Sequence, residues 1–160
     1  KEPTGSQPQT NGSQASYPQQ LAKDISVAQK AVDASEKDVA AKNSMNSNGG
    51  TTQSQAAQSS KETLANNYIE LGDAYYNSDN PKAAIAAYNN ALQTTDAVKR
   101  EALRGLLYAY SADNQIPQAI KAGEDLIAHL QPLVQEDPYV GARIKAYQSD
   151  VDRLKTGQQL

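Results

Sequence analysis

A chain of 160 residues with no cysteine, tryptophan or phenylalanine is the size of one domain, and its composition excludes disulfides, thiolate metal sites and cysteine nucleophiles. The formal net charge of −3 belongs to residues 61–160, where ten Lys and Arg face thirteen Asp and Glu, because residues 1–60 carry five of each. An acidic balance without a basic stripe argues against nucleic-acid binding, which needs clustered cations to displace counterions, and no apolar run approaches the roughly 20 residues of a membrane span.

Residues 1–17 are dominated by Pro, Gly, Gln and Ser without hydrophobic period and are expected to be a disordered tail. The chain opens at Lys1 on a polar low-complexity stretch of the kind left when a signal peptide or anchor has been removed. An extracytoplasmic location (periplasmic, cell surface or secreted) is therefore expected, with a cytoplasmic one as the alternative. Over residues 18–42, Leu21, Ile25, Ala28, Val32, Ser35 and Val39 follow the alternating four-three spacing of a coiled-coil seam or the apolar edge of a surface helix. The seam is thin, and an isolated helix of this length is marginal in water. It needs a partner, either the rest of the chain or another copy of itself. Residues 43–59 read NSMNSNGGTTQSQAAQS, a composition that predicts a flexible polar linker.

From residue 60 the pattern becomes strongly helical. Ser59 and Glu62 have capping-box spacing and predict a helix start near Ser60; Leu64, Tyr68, Leu71, Gly72 and Tyr75 follow on one face. Asn80 then caps a second helix with Pro81 at its first position, where a missing amide hydrogen costs nothing. Ala84, Ile85, Tyr88, Ala91 and Leu92 form its apolar stripe. A third helix is expected from about Asp96 to Ala112 through Leu103, Leu106, Leu107 and Tyr110. Asn114, Gln115 and Ile116 turn into a fourth helix opened by Pro117. Pro132 predicts either a kink or a short break. Asp137 and Pro138 repeat the cap-then-proline signal, and Val140, Ile144, Tyr147, Val151 and Leu154 stripe the last helix.

Tyr68, Leu71, Gly72, Tyr75, Ala84 and Tyr88 stand at the separations of the tetratricopeptide repeat signature, with Tyr where that signature has Trp or Phe. The stretch resembles a tetratricopeptide repeat. A shift of 35 residues pairs Tyr68 with Leu103, Leu71 with Leu106, Tyr75 with Tyr110 and Ala84 with Ala119. The second copy departs at Leu107, where Gly is expected, and at Gly123, where a ring is expected; bulk is swapped across the hairpin and the register kept. The resemblance covers about Ser60 to Leu130, and the helix after Pro138 is similar to the family's terminal capping helix. It implies an all-α fold in which residues 60–160 form helical hairpin repeats, an α-solenoid with a cap, preceded by the separate helix and the tail.

Two repeats are a short array, since such units bury their cores only against neighbours. Either the helix around Leu21 to Val39 docks on the open face of the first hairpin, or two chains associate through that face or that helix. In the family, the first helix of each hairpin lines a concave groove that holds a peptide or partner helix. The matching residues are Asn66, Ile69, Asp73, Tyr76 and Asn77 in the first repeat, and Glu101, Arg104, Tyr108 and Ser111 in the second. Ile69 and Asp73 stand where a grip on a partner's C-terminal carboxylate would need cations or amides, which argues against that mode.

Catalysis has little support. His129, the single histidine, lies late in an apolar helix, and Glu124 and Asp125 are adjacent and diverge around the helix. Asp150 and Asp152 read as a solvated face, and no phosphate-cradling glycine loop or nucleophile motif is present. The expected function is a non-enzymatic adaptor or scaffold, without cofactor or metal, whose partner is a protein or peptide. The alternative is a self-associating structural subunit of a cell-envelope assembly, similar in architecture to periplasmic cell-division coordinator proteins.

Overall fold

The computed structural model describes residues 16–45 and 51–160, and among these every regular element is a helix. In chain order they are α1 (Tyr17–Met45), α2 (Thr51–Asn77), α3 (Pro81–Thr94), α4 (Lys99–Ala112), α5 (Ile116–Leu130) and α6 (Pro138–Lys155). Each helix packs on the one before it, and α2 also touches α4. The fold is all-α, and among the described residues no helix is long and apolar enough to cross a membrane.

The thin seam of α1 is spent on α2. Ala28 and Val32, flanked by Ile25 and Val39, form one apolar cluster with Leu64 and Leu71 of α2 and Ala87 of α3. Polar bonds fix the register. Lys42 Nζ donates to Ser60 Oγ at 2.7 Å, and Asn67 Nδ2 donates to Ser35 Oγ at 2.6 Å and to the Ala31 carbonyl at 3.2 Å. The Tyr68 hydroxyl donates to Glu36. Partners rise along α2 as they fall along α1, so the pair is antiparallel. A second copy of the chain is not needed to cover this seam.

Two sequence expectations change here. The linker expected over 43–59 is shortened from both sides, since α1 runs to Met45 and α2 begins at Thr51. Residues 46–50 lie outside the described residues, as does the tail expected over 1–17 apart from Ser16 and Tyr17. Ser59 is therefore interior to α2 and caps nothing; its carbonyl accepts from Thr63 Oγ1 at 3.0 Å, and Glu62 accepts from Gln58. The extension holds because Ala57 and Ser60 are buried and Lys42 of α1 reaches Ser60, tertiary contacts that override a weak local preference.

The turns α2–α3 and α4–α5 are one structure built twice. Asp79 and Asn114 both take left-handed φ, 58° and 57°. The next amides, of Asn80 and Gln115, bond the Tyr75 and Tyr110 carbonyls at 3.0 and 2.8 Å, which is the Schellman arrangement. Asn80 caps α3, its Oδ1 accepting from the Ala83 amide at 3.3 Å, with Pro81 opening the helix. A 3-10 turn, Asp96–Val98, leads into α4. At Pro132 the chain breaks rather than kinks: α5 ends at Leu130 and a 3-10 turn runs Gln131–Gln135. Asp137 caps α6 by accepting from the Tyr139 amide at 2.9 Å.

The main core joins Ala65 and Ile69 of α2, Ala84, Tyr88 and Ala91 of α3, Leu106 and Leu107 of α4, Ala119 and Ala122 of α5, and Leu154 of α6. A separate cluster of Leu103, Leu126, Leu130 and Val140 seats α6 on α4 and α5. Bulk is exchanged between the two hairpins. A Cβ at Gly72 would stand 2.5 Å from the Tyr88 ring, whereas a Cβ at Gly123 would stand 3.3 Å from Leu107 and 2.5 Å from Val151. The empty position thus lies on the first helix of one hairpin and on the second helix of the other.

Candidate functional site: a tyrosine-lined groove

Tyr88 is the floor of the site. Its ring lies between α2 and α4, where a Cβ at Gly72 or at Gly105 would meet it at 2.5 Å. Only glycine at both places admits a ring at this depth. Above it, Asp73 and Tyr76 of α2, Arg104 and Tyr108 of α4, and Tyr147 of α6 line a groove of about 340 Å³. It shares Arg104 and Tyr147 with a neighbouring cavity of about 410 Å³, lined also by Arg100, Glu101 and Arg143.

The groove's carboxylates are engaged from within. Asp73 accepts from the Tyr88 hydroxyl at 2.6 Å, and Asp150 accepts from Tyr108 at 2.9 Å, tying α4 to α6. Burial first, and then the Asp150 bond, push Tyr108 up to about 12. Burial and Asp73 likewise raise Tyr88 well above a phenol's ordinary value. Both phenols stay protonated at neutral pH and act as hydrogen-bond donors. Glu101 takes two bonds from Arg100. Burial pushes its carboxyl up, but the Arg100 bond, its backbone bond and the charges of Arg100 and Arg104 together hold it below its ordinary value.

Of the nine residues expected in the groove, Asp73, Tyr76, Arg104 and Tyr108 line this cavity and Glu101 lines its neighbour. Two are corrected. Ile69 is 8% exposed and belongs to the main core, because α2 is covered on two sides, by α1 through Leu64 and Leu71 and by α3 and α4 through Ala65 and Ile69. Ser111 is buried in the last turn of α4, at 4% exposure. Asn66 and Asn77 are exposed and line neither cavity. Asn67, next to Asn66, is committed to α1.

Tyr147 packs on the core as its stripe predicts and also lines the groove, a place that sequence reasoning misses for it and for Tyr88, Gly105 and Arg143. The Tyr147 and Arg143 pair, four apart, shares a helix face, but the register of α6 against α4 is long-range information. His129 lies away from the groove, beside Leu92, Asp96, Lys99, Leu103 and Asp125. Among the described residues no group of three His, Cys, Asp or Glu could hold a metal ion.

Comparison with protein-family models, with characterised proteins and with solved structures gave no match.

Proposed function

We propose that this chain is a non-enzymatic protein-interaction module, similar to a short tetratricopeptide-repeat domain, that holds a peptide or partner helix in the groove between α2, α4 and α6. One observation carries the reading: Tyr76, Tyr108, Tyr147 and Arg104, drawn from three helices, converge on one concave surface over Tyr88. Tyr and Arg are the residue types that most often anchor protein interfaces, and Tyr108 is already held by Asp150, which lowers the ordering cost met on binding. The matching turns 35 residues apart support the repeat reading.

The test is selection of short peptides on the full chain, followed by affinity measurement on variants. Tyr76→Ala and Tyr147→Ala are expected to weaken the selected peptides about tenfold each without loss of helicity by circular dichroism. Peptides that bind both variants as well as the parent would refute the groove.

A further inference from the structure

We infer that the groove's ligand is an acidic peptide segment, with an Asp or Glu side-chain carboxylate seated between Arg104 and Arg143. The inference rests on the groove reading above and gives it a chemistry.

The chain has four arginines. Arg100 is bonded to Glu101, and Arg153 bonds the Gln159 carbonyl at 2.7 Å and stands 3.8 Å from Asp150. The other two, Arg104 and Arg143, make no hydrogen bond or ion pair with any described residue, and both line the same cavity. Each carboxylate around them already accepts a hydrogen bond, Asp73 from Tyr88, Asp150 from Tyr108 and Glu101 from Arg100, and Glu101 also feels the charge of Arg104. The cationic donors left unbonded are these two guanidinium groups.

The guanidinium forks of Arg104 and Arg143, with the hydroxyls of Tyr76 and Tyr147, call for a ligand rich in acceptors. A carboxylate matches a guanidinium in charge and in bidentate geometry. The net charge of −3 does not oppose this, because ionic screening over about 8 Å at physiological salt leaves the local charges in control. Backbone carbonyls of an extended segment would take the tyrosine hydroxyls. An internal side chain is specified because the groove continues past the arginines to Tyr76 at its other end, so the chain of the ligand runs on.

The test uses the full chain and short peptides capped at both ends, on one Leu, Ala and Tyr background, carrying Glu, Gln or Lys at the same positions. Fluorescence anisotropy should show the Glu peptide binding about tenfold or more tightly than the Gln peptide, with the Lys peptide weaker still and the preference shrinking as salt is raised. Arg104→Ala and Arg143→Ala should each remove most of the preference for Glu over Gln, and Arg104→Lys should restore part of it. Both side chains are exposed, and circular dichroism checks that the variants stay helical. In an NMR titration with glutarate, the Arg104 and Arg143 Nε–H signals should move more than that of Arg153. Equal affinity for Glu and Gln peptides, a preference that survives both Ala variants, or absence of binding by every peptide would overturn the inference. So would binding that requires an uncapped C-terminus, or displacement by inorganic phosphate more effective than by glutarate. Neutral peptides that bind in a Tyr76-dependent manner would overturn the acidic ligand alone and leave the groove standing.

Discussion

The two hairpins α2–α3 and α4–α5 share a turn, a spacing and a direction, yet fill their centres in opposite ways. In the first, glycine stands on the leading helix and the filler is Tyr88 from the following one; in the second, the filler is Leu107 from the leading helix and Gly123 stands opposite, admitting Val151 of α6. The frame is conserved and the chemistry is not. The Tyr88 ring carries a hydroxyl out of the core to Asp73, so the first hairpin connects its interior to the groove. The second hairpin fills its centre with the aliphatic Leu107, and what it lends the groove, Arg104 and Tyr108, comes from the outer side of α4, where Tyr108 reaches Asp150. One frame thus yields a polar contact in one unit and a seat for a capping helix in the next.

Removing the fillers should give the largest effects. Tyr88→Ala is expected to cost about 3–5 kcal/mol and Leu107→Ala about 2–5 kcal/mol in urea unfolding. If the comparison holds, only the first also abolishes peptide binding at concentrations where the variant is still folded. Filling the notches should come next. Gly72→Ala and Gly123→Ala each force a contact at 2.5 Å, and overpacking of about 1–3 kcal/mol opposes a helix-propensity gain of about 1 kcal/mol. Tyr88 cannot step aside from Gly72, because Gly105 stands behind it. Gly123→Ala should loosen α6, seen as faster amide exchange there, and Gly72→Ala should leave α6 protected. The reverse pattern would break the distinction between the hairpins.

The tyrosine bonds should reveal themselves at alkaline pH. Burial and the acceptors Asp150 and Glu36 raise Tyr108 and Tyr68 to about 12, whereas phenols in an unfolded chain titrate near 10. The folded value is the higher, so the stability these groups contribute is complete below about pH 10 and is lost as the pH rises towards 12. Urea midpoints measured from neutral pH upward should fall over that window, and the fall should be shallower in Tyr68→Phe/Tyr108→Phe. An unchanged slope in the double variant would count against both bonds. The smallest effect expected is a gain. Asp79→Gly and Asn114→Gly relieve left-handed backbone at matching places and should each add up to about 1 kcal/mol, equally if the two turns are the same structure.

Local signals carried most of the fold. Asn80 before Pro81, Asp137 before Pro138 and the stripe of α6 each set an element by chemistry within a few residues, and the structure places a helix start or buried face at each. The failures came where a distant contact decides. Thr51 to Ser60 has no apolar period to announce a helix, and becomes one where Ala57 and Ser60 meet α1. The repeat register puts Ile69 on the groove face, but a helix clasped on two sides buries two stripes, and Ile69 belongs to the second. The groove was half legible: Asp73, Tyr76, Arg104 and Tyr108 follow from the repeat register, whereas Tyr147 and Arg143 enter through the packing of α6, which no local pattern encodes.

Tyr88 has a further consequence. Because one aromatic ring separates Gly72 from Gly105, the ring acts as a spacer that sets the aperture between α2 and α4, and with it the width of the groove. The calibre of the opening is a property of the interior, fixed when the chain folds. The side chains at its lip, Tyr76 and Arg104, can then be exchanged for others without altering that width.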